Sequence, residues 1–371
     1  MLMNRIISDE ATAAEKRELR AGSKARPAES VNEITECLSR ASGDNPGLRY
    51  LVGCLGEAMA YAKTDPTHMH AAVDRLRQFH TLPEHQILVG SARHLEGDRK
   101  GAYAAFTAAR ATANGNWVFP THRGAENIIW EDDPAWLRPA PRKRALSAPM
   151  RWLRDPSPRG FTVVFAGDKV YFRNLAANAL ASLEGSNVPV HFHVVGWDDA
   201  AEETLRAIDR PGVTVSTERY DYPKDFTYFA TARFLRAVEL MRALGPIYIS
   251  DLDNVFIHDP LKMSAIYREH DAAFTPKPYQ DRLPWLSPAA AYLFLNNTSR
   301  GLELAQQMAN YVDHRFRPNG GRNWYFDQLL LNEVFRASEA KILRLTKATL
   351  PSVPCKTADT LKGKRTARPN G

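Results

Sequence analysis

From Phe161 onward, short apolar runs alternate with helical stretches, and this alternation limits the fold more than any other feature of the chain. FTVVFAG reads as a strand, a helical stretch runs through Leu180, and VPVHFHVVG reads as the next strand. Glu202 to Ile208 reads as helix and VTVS at 213–216 as strand. Phe229 to Leu244 predicts one helix with Phe234, Val238 and Met241 on a single face. IYIS then forms a strand that runs into Asp251. Such alternation implies an α/β fold, a mostly parallel sheet flanked by helices. Ligands of these sheets bind at the carboxyl ends of strands. Attention therefore falls on Ala166, Gly167, Asp168 and Lys169, on Gly196, and on Ser250 to Asn254.

The segment IYISDLDNVF is the most informative. Asp251 and Asp253 flank one apolar residue at a strand end. Side chains two apart on extended chain point the same way. Two like charges held together are costly unless a cation joins them. Hard carboxylate oxygens suit Mg²⁺ or Mn²⁺, which also take phosphate oxygens. The pair thus predicts a metal–diphosphate site. A plainer reading makes the two aspartates caps of the next turn. A third matches DLDNV to the phosphoaspartyl signature of haloacid-dehalogenase-like phosphatases, with Asp251 as nucleophile. That motif opens its domain, whereas about 90 residues of αβ pattern precede it here. Lys277 could supply the lysine those enzymes need, but no late acidic pair follows.

The remainder of the chain divides by texture. Residues 1–45 are polar with weak periodicity, read as a flexible, partly helical N-terminus. Residues 46–115 are helical: Leu51, Leu55, Ala58 and Met59 recur at helical spacing, as do Val73, Leu76 and Phe79. Gly90, Ala102, Phe106 and Ala109 sit where a tetratricopeptide repeat places its small and aromatic packing residues, with Gly97-Asp98 at the turn. The segment resembles one such repeat, with a weaker partner around Gly56; a generic helical hairpin reads equally well. Residues 116–160 form a linker rich in Pro, Trp and Arg. Residues 161–366 form the α/β domain.

Composition sets outer limits. Three cysteines, never spaced as CxxC, argue against a disulfide framework or a thiolate zinc site. The start of the chain has no apolar core of signal-peptide length, and no run of about 18 apolar residues occurs. A cytoplasmic protein is expected, with peripheral contact at the inner membrane face left open. The net charge is +7. Residues 341–371 hold eight Lys and Arg against one acid, Asp359, so the whole excess sits in this segment. No stacking-aromatic and basic pattern points to nucleic acid.

With these segments in order, the chain from Phe161 to about Arg365 resembles the family 8 glycosyltransferases of the GT-A fold. VFAGDKVYF is similar to the family's first strand and nucleotide-binding turn, and HFHVVG to its second strand. TARFLRAVEL is similar to the helix before the DxD strand, and WYFDQLLLNEVF to the late DQ…LN motif at the donor sugar. The resemblance implies an enzyme that moves a sugar from a nucleotide-sugar, UDP by preference, with retention of configuration. The acceptor would be a glycan, a lipid-linked molecule or a protein. Ala166, Gly167, Asp168 and Tyr171 would contact the nucleoside. Arg233 would reach ribose, phosphate or the DxD carboxylates, and Ser250 would line the donor site. Asp251 and Asp253 would hold the metal. Asp327 would bind sugar hydroxyls, and Gln328 would lie beside the anomeric carbon, its carbonyl dipole facing an oxocarbenium-like charge. Lys364 and Arg365 would close over the diphosphate.

Two departures weigh against a full carry-over. The family's C-terminal histidine ligand has no counterpart, since no histidine follows His314, and Asp359 or water would have to replace it. The family's Asn-Ala-Gly strand appears as Ala289-Ala290-Ala291. These departures motivate the alternative of a binding or scaffold protein without activity, whose helical module recruits a protein partner. His191 and His193 lie two apart on one strand and are read as core residues, one on each face of the sheet, not as a metal pair.

Overall fold

The structure is a computed structural model describing residues 2–138, 149–156, 160–208, 210–220, 226–277, 280–316, 325–346 and 348–354. It divides into two compact units.

The first unit comprises Met1–Asp132 together with two late segments, Lys277–Ser287 and Asn323–Leu329. Its helices are α1 (Leu2–Ile7), α2 (Ala13–Ala25), α3 (Pro27–Ser39), α4 (Pro46–Tyr61), α5 (Pro66–Arg75), α6 (Pro83–Glu96) and α7 (Arg99–Ala113). Local chemistry marks their starts. Thr12 and Glu15 form a capping box at α2. Asn45, Asp65 and Asp98 accept backbone N–H groups at α4, α5 and α7. Proline opens α3 to α6, where its missing N–H has no partner to lose. Residues 2–39 hold three packed helices, with Ile6, Ile34 and Leu38 fully buried. Weak periodicity hid this because few apolar residues per helix suffice when the helices are short.

Helices α6 and α7 form a hairpin that turns at Gly97 (φ +89°) and at the Asp98 cap. A side chain at Gly90 would begin 2.4 Å from the Phe106 ring, so the two helices approach as closely as they do because residue 90 has none. Phe106 meets Trp285 edge-on at 4.9 Å. Trp285 is fully buried, donates from Nε1 to the Thr121 carbonyl at 2.7 Å, and lies over Gly124, where a Cβ would stand 2.0 Å from its ring.

The second unit holds β1 (Arg151–Arg154), β2 (Thr162–Asp168), β3 (Val190–Val195), β4 (Val213–Glu218), β5 (Ile247–Ser250), β6 (Asn254–Phe256), β7 (Ala272–Pro276), β8 (Pro288–Leu295), β9 (Ile342–Arg344) and β10 (Ser352–Pro354). Its helices are α8 (Lys169–Ala181), α9 (Asp199–Ala207), α10 (Phe226–Leu235), α11 (Ala237–Leu244), α12 (Pro260–Tyr267) and α13 (Ser299–Arg315); α14 (Phe326–Ala337) belongs to it from Leu330 on. Eight strands form one sheet in the order β1-β4-β3-β2-β5-β8-β7-β9, and β6 pairs with β10. The fold is α/β as expected, with a mixed sheet. β4, β3, β2 and β5 are parallel, whereas β1 and β8 join antiparallel. β1 was not foreseen: four residues in a proline-rich stretch carry too little pattern to stand out.

The long helix expected over Phe229–Leu244 is two, α10 and α11, separated at Arg236. His191 and His193 share one face, since both rings reach the Ser216 hydroxyl, at 2.8 and 2.9 Å. The period of two along a strand requires this and corrects the expectation of one histidine per face. Burial holds the His191 ring well below its ordinary pKa, so it is a neutral core group.

The chain order makes the sheet reverse beside β2. From β2 the chain adds β3 and then β4 on one side, and β5 then pairs on the other side of β2. This is a topological switch point, where the carboxyl ends of two neighbouring parallel strands diverge and leave a crevice. Phe165 and Ser250 form the last pair between β2 and β5; Asp251 follows directly, and Asp168 closes β2, still paired on its other side with Val195 of β3. Among the described residues no helix is long and apolar enough to cross a membrane.

Candidate functional site

The second unit brings several of the expected residues to this switch point. β2 passes directly into α8, and Asp168 is the hinge. Its Oδ1 accepts the Tyr171 N–H at 2.7 Å, so it caps the helix. Burial pushes the Asp168 carboxyl above its ordinary range, against the pull of that backbone N–H and of Arg173 and Lys169. Lys169 itself pairs with Asp198 at 2.9 Å. Ala166, Gly167 and Tyr171 are half-buried around the same strand end. A Cβ at Gly167 would stand 3.3 Å from the Tyr171 Cβ, so the glycine keeps this corner tight.

On the neighbouring strand, Asp251, Leu252 and Asp253 make a tight turn into β6. Asn254 N–H donates to the Asp251 carbonyl at 3.1 Å, and the Asp251 N–H donates to Ala291 of β8 at 3.3 Å. Leu252 is buried beneath the turn, while Asp251 and Asp253 stay partly exposed. Both charges are felt at Tyr292. Burial raises its phenol well above the usual range, and the two carboxylates push it further the same way. Arg233 of α10, only 4% exposed, ion-pairs through Nη1 with Asp251 Oδ1. A buried guanidinium thus reaches the first aspartate.

Ser250 is fully buried, and Asn254 Nδ2 donates to its hydroxyl at 3.0 Å. Its side chain therefore supports the turn. Asn254 also donates to the Ala291 carbonyl at 3.3 Å. The three-alanine stretch of β8 thus supports the aspartate turn by its backbone. Tyr292 was not singled out from the sequence, whereas Asn254 closes the Ser250–Asn254 segment that was.

A second missed group fixes α10. Glu218, at the end of β4, is buried, accepts from Tyr228 OH at 2.6 Å and from Arg236 Nε at 2.5 Å, and lies 3.6 Å from His193 Nε2. Burial alone would raise its carboxyl, but His193 and Arg236 prevail and hold it at about 2. Tyr228 and Arg236 bracket Arg233 along the chain, so Glu218 anchors the helix that delivers it.

Asp327 and Gln328 lie in the first unit, at the start of α14. Asp327 Oδ1 accepts the Gln328 N–H at 2.9 Å. The Gln328 amide oxygen accepts from Lys277 Nζ at 2.7 Å. Tyr325, two residues before Asp327, has φ +68°, a conformation that strains a side chain of this size. Lys364, Arg365 and Asp359 lie outside the described residues. Among the described residues no group of three His, Cys, Asp or Glu could hold a metal ion. Asp251 and Asp253 fit a hard cation that completes its shell with phosphate oxygens and water.

No family model matches the chain. No curated protein matches it either. About half of the chain is similar to solved glycosyltransferase structures. For the WbbM bifunctional glycosyltransferase the identity is 15% and the TM-score 0.36, over 50% of this chain and 38% of that one. For GlyE of Streptococcus pneumoniae TIGR4 they are 19% and 0.35, over 51% and 45%. For the galactosyltransferase LgtC, in complex with donor and acceptor sugar analogs, they are 14% and 0.38, over 50% and 73%. The chain spans less than half the length of the first two.

Proposed function

We propose that this chain is a glycosyltransferase of the GT-A type that moves a sugar from a nucleotide-sugar, UDP-linked by preference, to a glycan, lipid-linked or protein acceptor. The observation that carries this reading is the Asp251–Asp253 turn at the switch point, with Arg233 on its first carboxylate. Carboxylates placed at a strand-end crevice suit a cation and a diphosphate better than they suit a bare cap.

Asp253, and with it Asp251, would hold Mn²⁺ or Mg²⁺. That ion would neutralise charge on the departing nucleoside diphosphate. Arg233 holds Asp251 in place and adds fixed positive charge at the diphosphate. Asp168 fixes the β2–α8 corner against which the nucleoside would lie. By the family resemblance, Asp327 and Gln328 would supply polar groups for the sugar. Membership of family 8, retention, a tetratricopeptide-like role for α6 and α7, closure by Lys364 and Arg365, and a cytoplasmic place all belong to this same proposal.

The test is a screen of nucleotide-sugars with Mn²⁺, scored by nucleotide release, on the wild type and on Asp253→Asn. The variant should fold normally and lose transfer; full activity in it would sink the metal assignment. The second reading, a scaffold without activity, is favoured by the alanines at 289–291. Calorimetry with UDP and Mn²⁺ separates the two, because a scaffold shows no metal-dependent nucleotide binding.

A further inference from the structure

Lys277 has no part in the reading above, yet its ammonium group donates to the Gln328 amide oxygen. It stands at the neck of the excursion between β7 and β8. Its N–H donates to the Ser287 carbonyl at 2.7 Å and its carbonyl accepts from Gln280 at 3.2 Å, so the neck is closed by its own backbone. The excursion is clamped further along by Trp285. Arg282, also buried, donates to the Ser91 hydroxyl at 3.3 Å and packs against Gly56, where a Cβ would stand 3.2 Å from its Nη1. On the other side, Leu329, next to Gln328, is buried in the cluster that contains Phe106 and Trp285. Both residues of the contact are therefore held by the same helical unit.

An amide has an accepting end and a donating end, and an ammonium group can only donate. Lys277 therefore determines which end of Gln328 faces it. The carbonyl oxygen turns to Nζ, and the NH₂ group is presented on the opposite side.

We propose that Lys277 is a positioning residue that locks the Gln328 amide, so that Gln328 meets its ligand as a hydrogen-bond donor to a sugar hydroxyl oxygen. This rests on the glycosyl-transfer reading and changes one part of it. A carbonyl oxygen engaged by a cation is a weaker partner for developing positive charge. Gln328 then binds and orients the sugar, and does not stabilise the anomeric centre through its oxygen. It also forms no covalent intermediate.

The experiment uses the full chain and four variants: Gln328→Glu, Gln328→Leu, Lys277→Met and Lys277→Arg. In Gln328→Glu the carboxylate keeps the contact with Lys277 but loses the NH₂. The donor KM should rise about tenfold, the scale of one lost hydrogen bond, with kcat changed less and the unfolding temperature kept or raised. Lys277→Met should raise the donor KM by a similar factor, and Lys277→Arg should restore part of it. The effects of Lys277→Met and Gln328→Leu should fall short of additive. Wild-type KM in Gln328→Glu, or additive effects in the cycle, would overturn the proposal. If the wild type releases no nucleotide from any donor, glycosyl transfer is wrong. The same cycle is then read in thermal unfolding, where additivity overturns the contact and coupling retains it.

Discussion

The buried Arg233 guanidinium ion-pairs with an aspartate that is itself more than a third exposed, so one charge of the pair is fixed by the core and the other is offered to the crevice. An arginine in this position does two things at once. It stops Asp251 from turning back into the turn, and it adds fixed positive charge beside any anion bound there. Arg233→Met should therefore lower transfer roughly 100-fold, while Arg233→Lys, a point charge without the planar fork, should recover only part of it. Steady-state kinetics with the best donor would check both. Equal activity in all three proteins would show the pair to be structural.

Asp168 separates a cap from a ligand. Asp168→Asn keeps an oxygen for the Tyr171 N–H, whereas Asp168→Ala removes it and should cost about 1 kcal/mol. Burial holds the wild-type carboxyl above its ordinary range. The ionised group is thus disfavoured in the fold, and its contribution to stability falls as pH rises from the ordinary carboxylate range through the raised value. Asp168→Asn should accordingly be as stable as wild type at pH 7, or more so, by urea unfolding. Any loss of nucleotide affinity in that variant then reports the charge alone.

Glu218 has the opposite sign. Its carboxyl is held at about 2 in the fold, against about 4.3 in an unfolded chain. The stabilisation is complete above the unfolded value and is lost as pH falls toward 2. Its size is roughly 2–3 kcal/mol, given how deeply the group is buried. Glu218→Gln should lower stability at pH 7 and flatten the acid limb between pH 5 and 2, read by thermal unfolding across that range. It should also weaken transfer, since Tyr228 and Arg236 then hold α10 less firmly around Arg233. An unchanged acid limb would count against the anchor.

The α6–α7 hairpin offers a packing test away from the chemistry. Gly90→Val places methyl groups where the Phe106 ring stands, and should cost about 1–3 kcal/mol by overpacking. Adding Phe106→Leu should recover part of that loss. If the two changes prove additive in urea denaturation, the helices do not meet at this point.

The pattern from Phe161 to Asp251 was readable because buried parallel strands are continuous apolar runs, and FTVVFAG and VHFHVV announce themselves. The aspartate pair was readable because two acids closing such a run are costly without a purpose. Other features left little trace. The break at Arg236 falls in unbroken helical periodicity and shows only in three dimensions, where its side chain meets Glu218. The Glu218 anchor joins residues from two strands, from α10 and from the break that follows it, and none of them is unusual alone. The Lys277–Gln328 contact spans 51 positions, and no local pattern encodes a pairing at that distance. Short β1 and the polar helices α1 to α3 carry too few apolar residues to signal themselves.

The first unit is not finished when its own stretch of chain ends. Its interior at Gly124 and Phe106 is filled by Trp285, and Leu329 completes the same cluster. During synthesis the N-terminal helices must therefore wait for nearly the whole polypeptide before this part of their interior closes, and long-range closure of this kind is slow. A fragment ending near residue 132 would expose the apolar bed of an absent tryptophan, and one beginning near residue 161 would leave that tryptophan without its bed. The boundary drawn most naturally along the sequence is thus the wrong place to cut the protein, and expression of either half alone should yield aggregation where the full chain folds.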